Sequence, residues 1–200
     1  MEGRTKQLIR RKLFRMLTFI YPVLYMKYSQ QEVVFVSGVI AAVAVIIEST
    51  RFYSPKIKGM TEKVFSAIGK AEEVYRISGI TYMALGALFT VVFFRRVIAV
   101  PVLICAILGD AVSSLVANKW GGSFRIFRNK SLEGTLACFA TCLVAGWLLL
   151  RTPLAAEGLD FNLVLAIALL TTLFDVIPIP MDDNISTPLG VGFFAQMLMR

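Results

Sequence analysis

The stretch ICAILGDAVSSLVANKWGG, residues 104–122, decides how this chain folds. It belongs to an apolar segment, residues 97–117, whose length approaches the roughly 20 apolar residues that a helix needs to cross a bilayer. One carboxylate, Asp110, interrupts this segment, and a charge in hydrocarbon costs several kcal/mol. We therefore interpret Asp110 as a functional residue. Its neighbours are small and also suit tight helix packing: Gly109, Ala111, Ser113 and Ser114.

The rest of the chain is equally apolar. Of its 200 residues 57% are hydrophobic and 17% are charged, against about 45–50% and about 25% in soluble domains. Six further apolar segments are found at residues 13–26, 33–47, 77–94, 135–150, 161–180 and 185–199. We expect an all-α polytopic membrane protein of one domain, residues 1–200, with about seven transmembrane helices. Six remains an alternative, because the first two segments and the last are short.

Basic residues alternate between the loops. Most of the 21 Lys and Arg residues lie in an arm at residues 1–12, a loop at 48–76 and a loop at 119–130. The positive-inside rule then places the N-terminus in the cytoplasm. Within 48–76, apolar residues at helical spacing predict an interfacial helix. Because the basic residues flank apolar segments, the net charge of +8 predicts a bilayer, and no nucleic acid, as partner.

The basic loop before the fifth apolar segment contains the sequence NKSLEGT, residues 129–135. Ser131 can cap a helix and Glu133 falls in its first turn, so ordinary capping is one interpretation. The other is a phosphate cradle made by Lys130, Ser131 and the free amides of the helix start. Gly121 and Gly122 would let the loop backbone approach a nucleotide.

The sequence DVIPIPMDDN, residues 175–184, has two prolines that break the sixth segment before adjacent carboxylates. Asp182 and Asp183, with Asn184, form a hard-oxygen site of the kind magnesium uses beside phosphates, although a solvated acidic loop is the alternative. No histidine is present, and the three cysteines lie in apolar runs, which excludes most zinc sites.

By the charge pattern, these elements meet at the cytoplasmic face, together with basic residues of the N-terminal arm. Arg11, Lys12 and Arg15 either set topology or contact phosphates. Glu48 and Arg51 close the second helix, where one interpretation is a pair between them at the surface. Cations for phosphates, carboxylates for magnesium and a lipid-accessible cavity describe phosphoryl transfer from a nucleotide to a membrane-dissolved hydroxyl.

The order of these motifs resembles the family of CTP-dependent lipid-alcohol kinases, which contains dolichol kinase, phytol kinase and the CTP-dependent diacylglycerol kinase and is distantly related to phosphatidate cytidylyltransferase. The resemblance covers most of the chain. It rests on Arg11-Lys12, Glu48 with Arg51, Gly79 to Gly86, Leu108-Gly109-Asp110-Ala111, Lys130 to Thr135, and Asp182-Asp183-Asn184. The family often has histidine where this chain has Arg15, glycine where it has Asn129, and glutamate near Asp175.

The resemblance implies transfer of the CTP γ-phosphate to a lipid alcohol, with Mg²⁺ as cofactor. It implies that Asp110, Lys130, Glu133 and Asp183 hold magnesium and CTP. Residue chemistry and resemblance together give three candidate sets. The catalytic set is Asp110, Lys130 and Glu133, with Asp110 preferred as the general base. The metal set is Asp110, Glu133, Asp182 and Asp183. The nucleotide set is Arg11, Lys12, Lys119, Gly121, Gly122, Lys130, Ser131, Gly134, Thr135 and Asn184.

Two other functions remain open from the sequence. A CDP-lipid synthase would use the α-phosphate of CTP, but the histidine-containing motif of that family is absent. A transporter could use Asp110 and the Pro178-Ile179-Pro180 break as an ion path. We expect a prokaryotic inner membrane with the active site on its cytoplasmic face. The acceptor is expected to be a polyprenol, a phytol-like isoprenoid or diacylglycerol. A homodimer is compatible with the sequence, although no pattern in it indicates one.

Overall fold

The structure is a computed structural model that describes residues 12–13, 15–53, 77–121, 125–127 and 130–199, with backbone only for 125–127. A short 3-10 helix, Leu17–Phe19, precedes the first α-helix. Seven α-helices lie within the described residues: α1 Ile20–Lys27, α2 Gln30–Tyr53, α3 Gly79–Phe93, α4 Arg96–Trp120, α5 Leu132–Leu149, α6 Phe161–Val176 and α7 Asp183–Leu198.

Each of these helices falls on one predicted apolar segment, so the all-α prediction is confirmed. By length and composition, three of the helices in the described part are long and apolar enough to cross a membrane, namely α2, α4 and α5. Helices α3 and α6 are apolar but shorter. Seven transmembrane helices and a cytoplasmic N-terminus therefore stay predictions.

The predicted loop at residues 48–76 begins later than expected. Helix α2 continues to Tyr53, so its last turns contain Glu48 and Arg51, and both side chains are buried. The two charges pair with each other in the interior, and this pairing explains why α2 continues through the largely polar residues 48–53. The predicted interfacial helix lies outside the described residues, as does the basic arm up to residue 11.

The second basic loop contains a feature that the sequence analysis missed. Strands β1 Arg125–Phe127 and β2 Lys130–Ser131 pair antiparallel, with Arg125 opposite Ser131. Helix α5 begins at the next residue, Leu132. The strand pair therefore holds Lys130 directly at the start of α5, where a free loop was expected.

Helix α4 is the centre of the bundle. It packs against α1, α3, α5, α6 and α7, and Ala99, Val100 and Val102 are fully buried. Small residues allow the closest approaches: a Cβ atom at Gly109 would lie 2.8 Å from Cys138 Sγ. All three cysteines are free and buried, as expected for small apolar side chains in a helix interface.

Two further close contacts bring helix ends together. A Cβ atom at Gly134 in α5 would lie 2.8 Å from the Ser113 carbonyl oxygen in α4. A Cβ atom at Gly86 in α3 would lie 2.1 Å from the Asn184 carbonyl oxygen in α7. Glycine has no Cβ atom and so avoids both clashes. The start of α5 therefore packs directly against α4, which carries Asp110, and the start of α7 packs directly against α3.

Candidate active site

Asp110 lies in the C-terminal half of α4, where its carboxylate forms ion pairs with Lys12 and Arg15. Lys12 Nζ also donates to the backbone carbonyl of Asp110 at 3.2 Å. The two cations come from the segment before α1, almost a hundred residues earlier in the chain. This segment therefore crosses α4 at Asp110. Lys12 and Arg15 both pair with one carboxylate, in addition to any contribution that they make to membrane topology.

Lys12 is surrounded by other charges. Burial lowers the pKa of its ammonium group, the Asp110 carboxylate opposes that shift, and the Arg15 and Lys130 cations lower the pKa further. Lys12 therefore lies near two other cations, Arg15 and Lys130. Such a group of cations suits a polyphosphate, whose oxygens accept charge-assisted hydrogen bonds.

A second carboxylate, Asp175, holds Lys130. Lys130 Nζ donates to Asp175 Oδ1 at 2.6 Å, and Ser113 Oγ donates to Asp175 Oδ2 at 3.1 Å. Asp175 is not among the candidate site residues that were predicted from the sequence. The signal that could have found it is the one that found Asp110, a carboxylate within an apolar segment. Asp175 and Ser113 link the ends of α4 and α6 to the start of α5.

The start of α5 uses its polar residues largely as caps. Ser131 Oγ accepts the Gly134 N–H at 3.1 Å, and Thr135 Oγ1 donates to the Ser131 carbonyl at 3.1 Å. Gly121 also packs here, since a Cβ atom at this position would lie 2.8 Å from Ser131 Oγ. The capping interpretation is therefore correct for Ser131, and it leaves the other amides of the first turn free for an anion.

Glu133 has a different environment. Its Oε2 atom is buried and has no hydrogen-bond partner among the described residues. A buried carboxylate oxygen without a donor is costly, and a cation or a donor from a ligand would satisfy it. Lys119, by contrast, is exposed and lies over the Trp120 ring with its Nζ 4.4 Å from the ring centroid, so the structure does not bring it to Asp110.

The start of α7 is capped by Asp182. Its Oδ1 atom accepts from the Asn184 backbone N–H at 3.0 Å and from Asn184 Nδ2 at 2.6 Å. Asp183, at the first residue of the helix, has a raised pKa because its carboxylate loses hydration. Lys130 opposes that shift, and Asp110, Asp182 and Asp175 add to it. Three carboxylates from α4, α6 and α7 therefore share one electrostatic environment.

The predicted magnesium ligands are only partly gathered. In the described part of the chain, no three Asp, Glu, Cys or His side chains are grouped closely enough to hold a metal ion. Asp110 is paired with cations and Asp182 caps α7, which leaves Glu133 and Asp183 as the better placed carboxylates. Magnesium commonly takes one or two carboxylates and fills its shell with phosphate oxygens and water. The unpartnered Glu133 oxygen fits such an ion, and magnesium stays a prediction.

Two predicted nucleotide-binding residues, Arg11 and Gly122, lie outside the described residues. Lys119 lies on the outer surface of the bundle, and the remaining predicted nucleotide-binding residues lie at one end of it. We use the name Asp110 site for the two carboxylates and the residues that are linked to their side chains by ion pairs or hydrogen bonds: Lys12, Arg15, Asp110, Ser113, Lys130 and Asp175.

A second buried polar group lies between α2 and α3. Glu48 Oε1 pairs with Arg51 and accepts the Ser78 N–H at 3.2 Å, while Glu48 Oε2 accepts from Ser78 Oγ at 2.6 Å and Thr81 Oγ1 at 3.0 Å. We call these four residues the Glu48 cluster. Glu48 and Arg51 pair with each other, as one interpretation of the sequence had it. The surface location was wrong, because exposed fractions of 7% and 3% place both residues in the interior.

Comparison with known proteins gives a distant relationship. The chain is 25% identical over 137 residues to an uncharacterized protein of Rickettsia prowazekii, an alignment that covers 67% of this chain and 66% of that protein. It is also similar to two fungal proteins named CTP-dependent diacylglycerol kinase 1. The identity is 28% over 101 residues for Eremothecium gossypii and 24% over 103 residues for Saccharomyces cerevisiae.

The two kinase alignments cover 50% and 51% of this chain but only 32% and 36% of the kinases. The chain thus spans about a third of the length of these kinases and just under two thirds of the Rickettsia protein. No family model matches the chain, and no solved structure matches it. The comparisons support distant homology to lipid kinases.

Proposed function

We propose that this chain is an integral-membrane kinase that transfers the γ-phosphate of CTP to the hydroxyl group of a membrane lipid alcohol. The observation that carries the proposal is the Asp110 site itself, in which three cations from two parts of the chain pair with two carboxylates on apolar helices. The distant similarity to CTP-dependent diacylglycerol kinases supports the donor and the class of acceptor.

In the proposed reaction, the acceptor hydroxyl oxygen forms a bond to the γ-phosphorus while the bond from that phosphorus to the β–γ bridging oxygen breaks. CDP leaves with the electron pair, and the hydroxyl proton passes to a carboxylate. Lys12, Arg15 and Lys130 would contact the phosphates, where charge-assisted hydrogen bonds are strongest. Bound magnesium would add charge neutralisation on the β- and γ-phosphates.

Asp110 would be the proton acceptor. Lys12 and Arg15 both pair with one oxygen of its carboxylate, Oδ2, and favour the ionised form. When phosphates draw these cations away, Oδ2 also becomes available to the hydroxyl. Nucleotide binding and activation of the base would thus be coupled, because both depend on the same two cations.

The proposed location is a prokaryotic inner membrane, with the Asp110 site at the cytoplasmic face. The apolar helices support a membrane protein, and the basic N-terminal arm supports this orientation. CTP is made in the cytoplasm, so the donor would reach the site from that side.

The test is a label-transfer assay on protein purified in detergent micelles. CTP labelled at the γ position and CTP labelled at the α position are offered separately with dioleoylglycerol, phytol and a long polyprenol. Transfer of γ-label to a lipid is expected and would identify the acceptor. Transfer of α-label alone would make the chain a CDP-lipid synthase, and transfer of neither label would favour the transporter alternative.

A further inference from the structure

A small cavity lies beside the Asp110 site, between the segment before α1 and helices α3, α4 and α7. Its volume is about 30 Å³. Arg15, Asp183 and Asn184 form its polar side, and Met83, Leu103 and Ile107 contribute to its apolar side. The cavity therefore joins the charged residues of the site to the hydrocarbon-like interior of the bundle.

Asn184 lines this cavity and has an unused acceptor. Its amide NH₂ group donates to Asp182 Oδ1 at 2.6 Å, and because a carboxylate accepts only, this bond fixes which end of the amide faces Asp182. The other end, Oδ1, is buried and has no hydrogen-bond partner among the described residues. A buried carbonyl oxygen of this kind requires a donor.

We propose that this cavity receives the hydroxyl-bearing end of the acceptor lipid and that Asn184 Oδ1 accepts the hydrogen bond of its hydroxyl group. This inference rests on the proposed kinase function and adds the location of the acceptor. It also changes the predicted assignment of Asn184, which moves from nucleotide binding to acceptor binding.

Three properties favour a lipid hydroxyl over a part of CTP. Phosphate oxygens at neutral pH are mainly acceptors and would leave Asn184 Oδ1 without a donor. A volume of about 30 Å³ holds a hydroxymethyl group, whereas small-molecule pockets measure about 300–1,000 Å³. The apolar side suits the carbon chain that follows the hydroxyl and would give ribose or cytosine no further hydrogen bonds.

The position of the cavity also suits the reaction. Ile107 lies three residues before Asp110 on α4, so the two side chains share one face of that helix. Arg15 both lines the cavity and pairs with Asp110. A hydroxyl group on Asn184 would therefore lie beside the proposed base and next to a cation that contacts phosphate.

The first experiment compares Asn184→Ala with Asn162→Ala, which removes an exposed amide at the start of α6. In the label-transfer assay with dioleoylglycerol, Asn184→Ala should raise the KM for the lipid about tenfold, the size expected for one hydrogen bond. The KM for CTP should stay within about twofold. Asn162→Ala should change neither constant.

A second pair of variants changes volume only. Ala106→Leu fills the cavity, and Ala140→Leu places the same side chain in the exposed groove between α4 and α5. Ala106→Leu should raise the lipid KM at least as much as Asn184→Ala does, whereas Ala140→Leu should not. Melting temperatures verify that each variant is folded. A folded Asn184→Ala or Ala106→Leu protein with a normal lipid KM, or with only the CTP KM raised, would overturn the assignment.

Photolabelling separates this inference from the proposed function. A diazirine-bearing diacylglycerol is added to the wild-type protein without CTP, and labelled peptides are located by mass spectrometry. Label on α3, α4 or α7 that Ala106→Leu removes would support the cavity as a lipid-alcohol site, even if no phosphate were transferred. Label confined to other helices, or unchanged by Ala106→Leu, would refute it, even if the protein proved to be a kinase.

Discussion

The Asp110 site and the Glu48 cluster both pair a carboxylate on an apolar helix with a basic side chain, yet they differ in what lies beside that carboxylate. Both oxygens of Glu48 accept hydrogen bonds from within the cluster. The Asp110 site borders a cavity, and beside it Asn184 Oδ1 and Glu133 Oε2 are buried without partners among the described residues.

This difference teaches that a buried charge alone does not indicate catalysis. A carboxylate whose two oxygens both bond within the protein contributes to the position of two helices and leaves no acceptor for a ligand. An incompletely bonded group next to a cavity keeps binding capacity at a cost in stability, which is typical of functional sites. We therefore assign structural support to the Glu48 cluster and chemistry to the Asp110 site.

The largest expected effect comes from Asp110→Asn. This change removes the proposed base and the negative charge that Lys12 and Arg15 face, so γ-phosphate transfer should fall by about a thousandfold or more, within the combined range of base and electrostatic contributions. The initial rate of label transfer measures it. The protein should remain folded, because asparagine retains the shape of the side chain, but its melting temperature should fall, because two partly buried ion pairs are lost.

The matched control for Asp110→Asn is Glu157→Gln, which neutralises a carboxylate paired with Arg96 at the other end of the bundle. That pair is partly exposed, so its loss should leave both rate and stability nearly unchanged. If Asp110→Asn kept near-normal activity in purified form, the proposed catalytic centre would be wrong and the contrast with the Glu48 cluster would disappear.

A smaller effect is expected from Asp175→Asn. Asp175 would act as a positioning residue that holds Lys130 toward the phosphates, through bonds of 2.6 Å to Lys130 and 3.1 Å to Ser113. Its neutralisation should raise the KM for CTP about tenfold, as expected for a lost charge-assisted hydrogen bond, and should change the lipid KM far less. Steady-state kinetics with each substrate varied in turn separates the two constants.

Asp175→Glu should restore part of the CTP affinity, because it returns the charge. Asp160→Asn provides the matched control at the opposite end of α6, where asparagine can still cap the helix. An equal rise in both KM values for Asp175→Asn, with no recovery in Asp175→Glu, would mean that Asp175 supports the fold rather than the nucleotide site.

The smallest effect on catalysis is expected from Glu48→Gln. This change leaves Arg51 buried without its carboxylate, and breaking a buried ion pair costs about 3–5 kcal/mol of stability. The melting temperature in detergent should fall clearly, while kcat per folded molecule should stay within about twofold. Glu32→Gln, an exposed glutamate on the same helix, should affect neither quantity. Normal stability with lost activity would instead place Glu48 in the active site.

Much of the candidate site could be predicted from the sequence, because a carboxylate within an apolar segment is recognised from its neighbours along the chain alone. That rule found Asp110, and it would have found Asp175 if applied to the sixth segment. It gave no information on Asn184, whose importance depends on the direction of one amide and on a cavity formed by three helices. It also gave the wrong location for Glu48 and Arg51, because their burial depends on α3.

The sequence by itself determined where the apolar helices of the described residues lie and the end at which polar residues collect, since hydropathy and capping act over a few neighbouring residues. Only the tertiary structure decided which polar groups meet. Close contacts at Gly86, Gly109 and Gly134 set how the helices face one another. Those contacts, between residues distant in the sequence, bring Lys12 to Asp110 and Lys130 to Asp175 and leave Asn184 Oδ1 without a partner among the described residues.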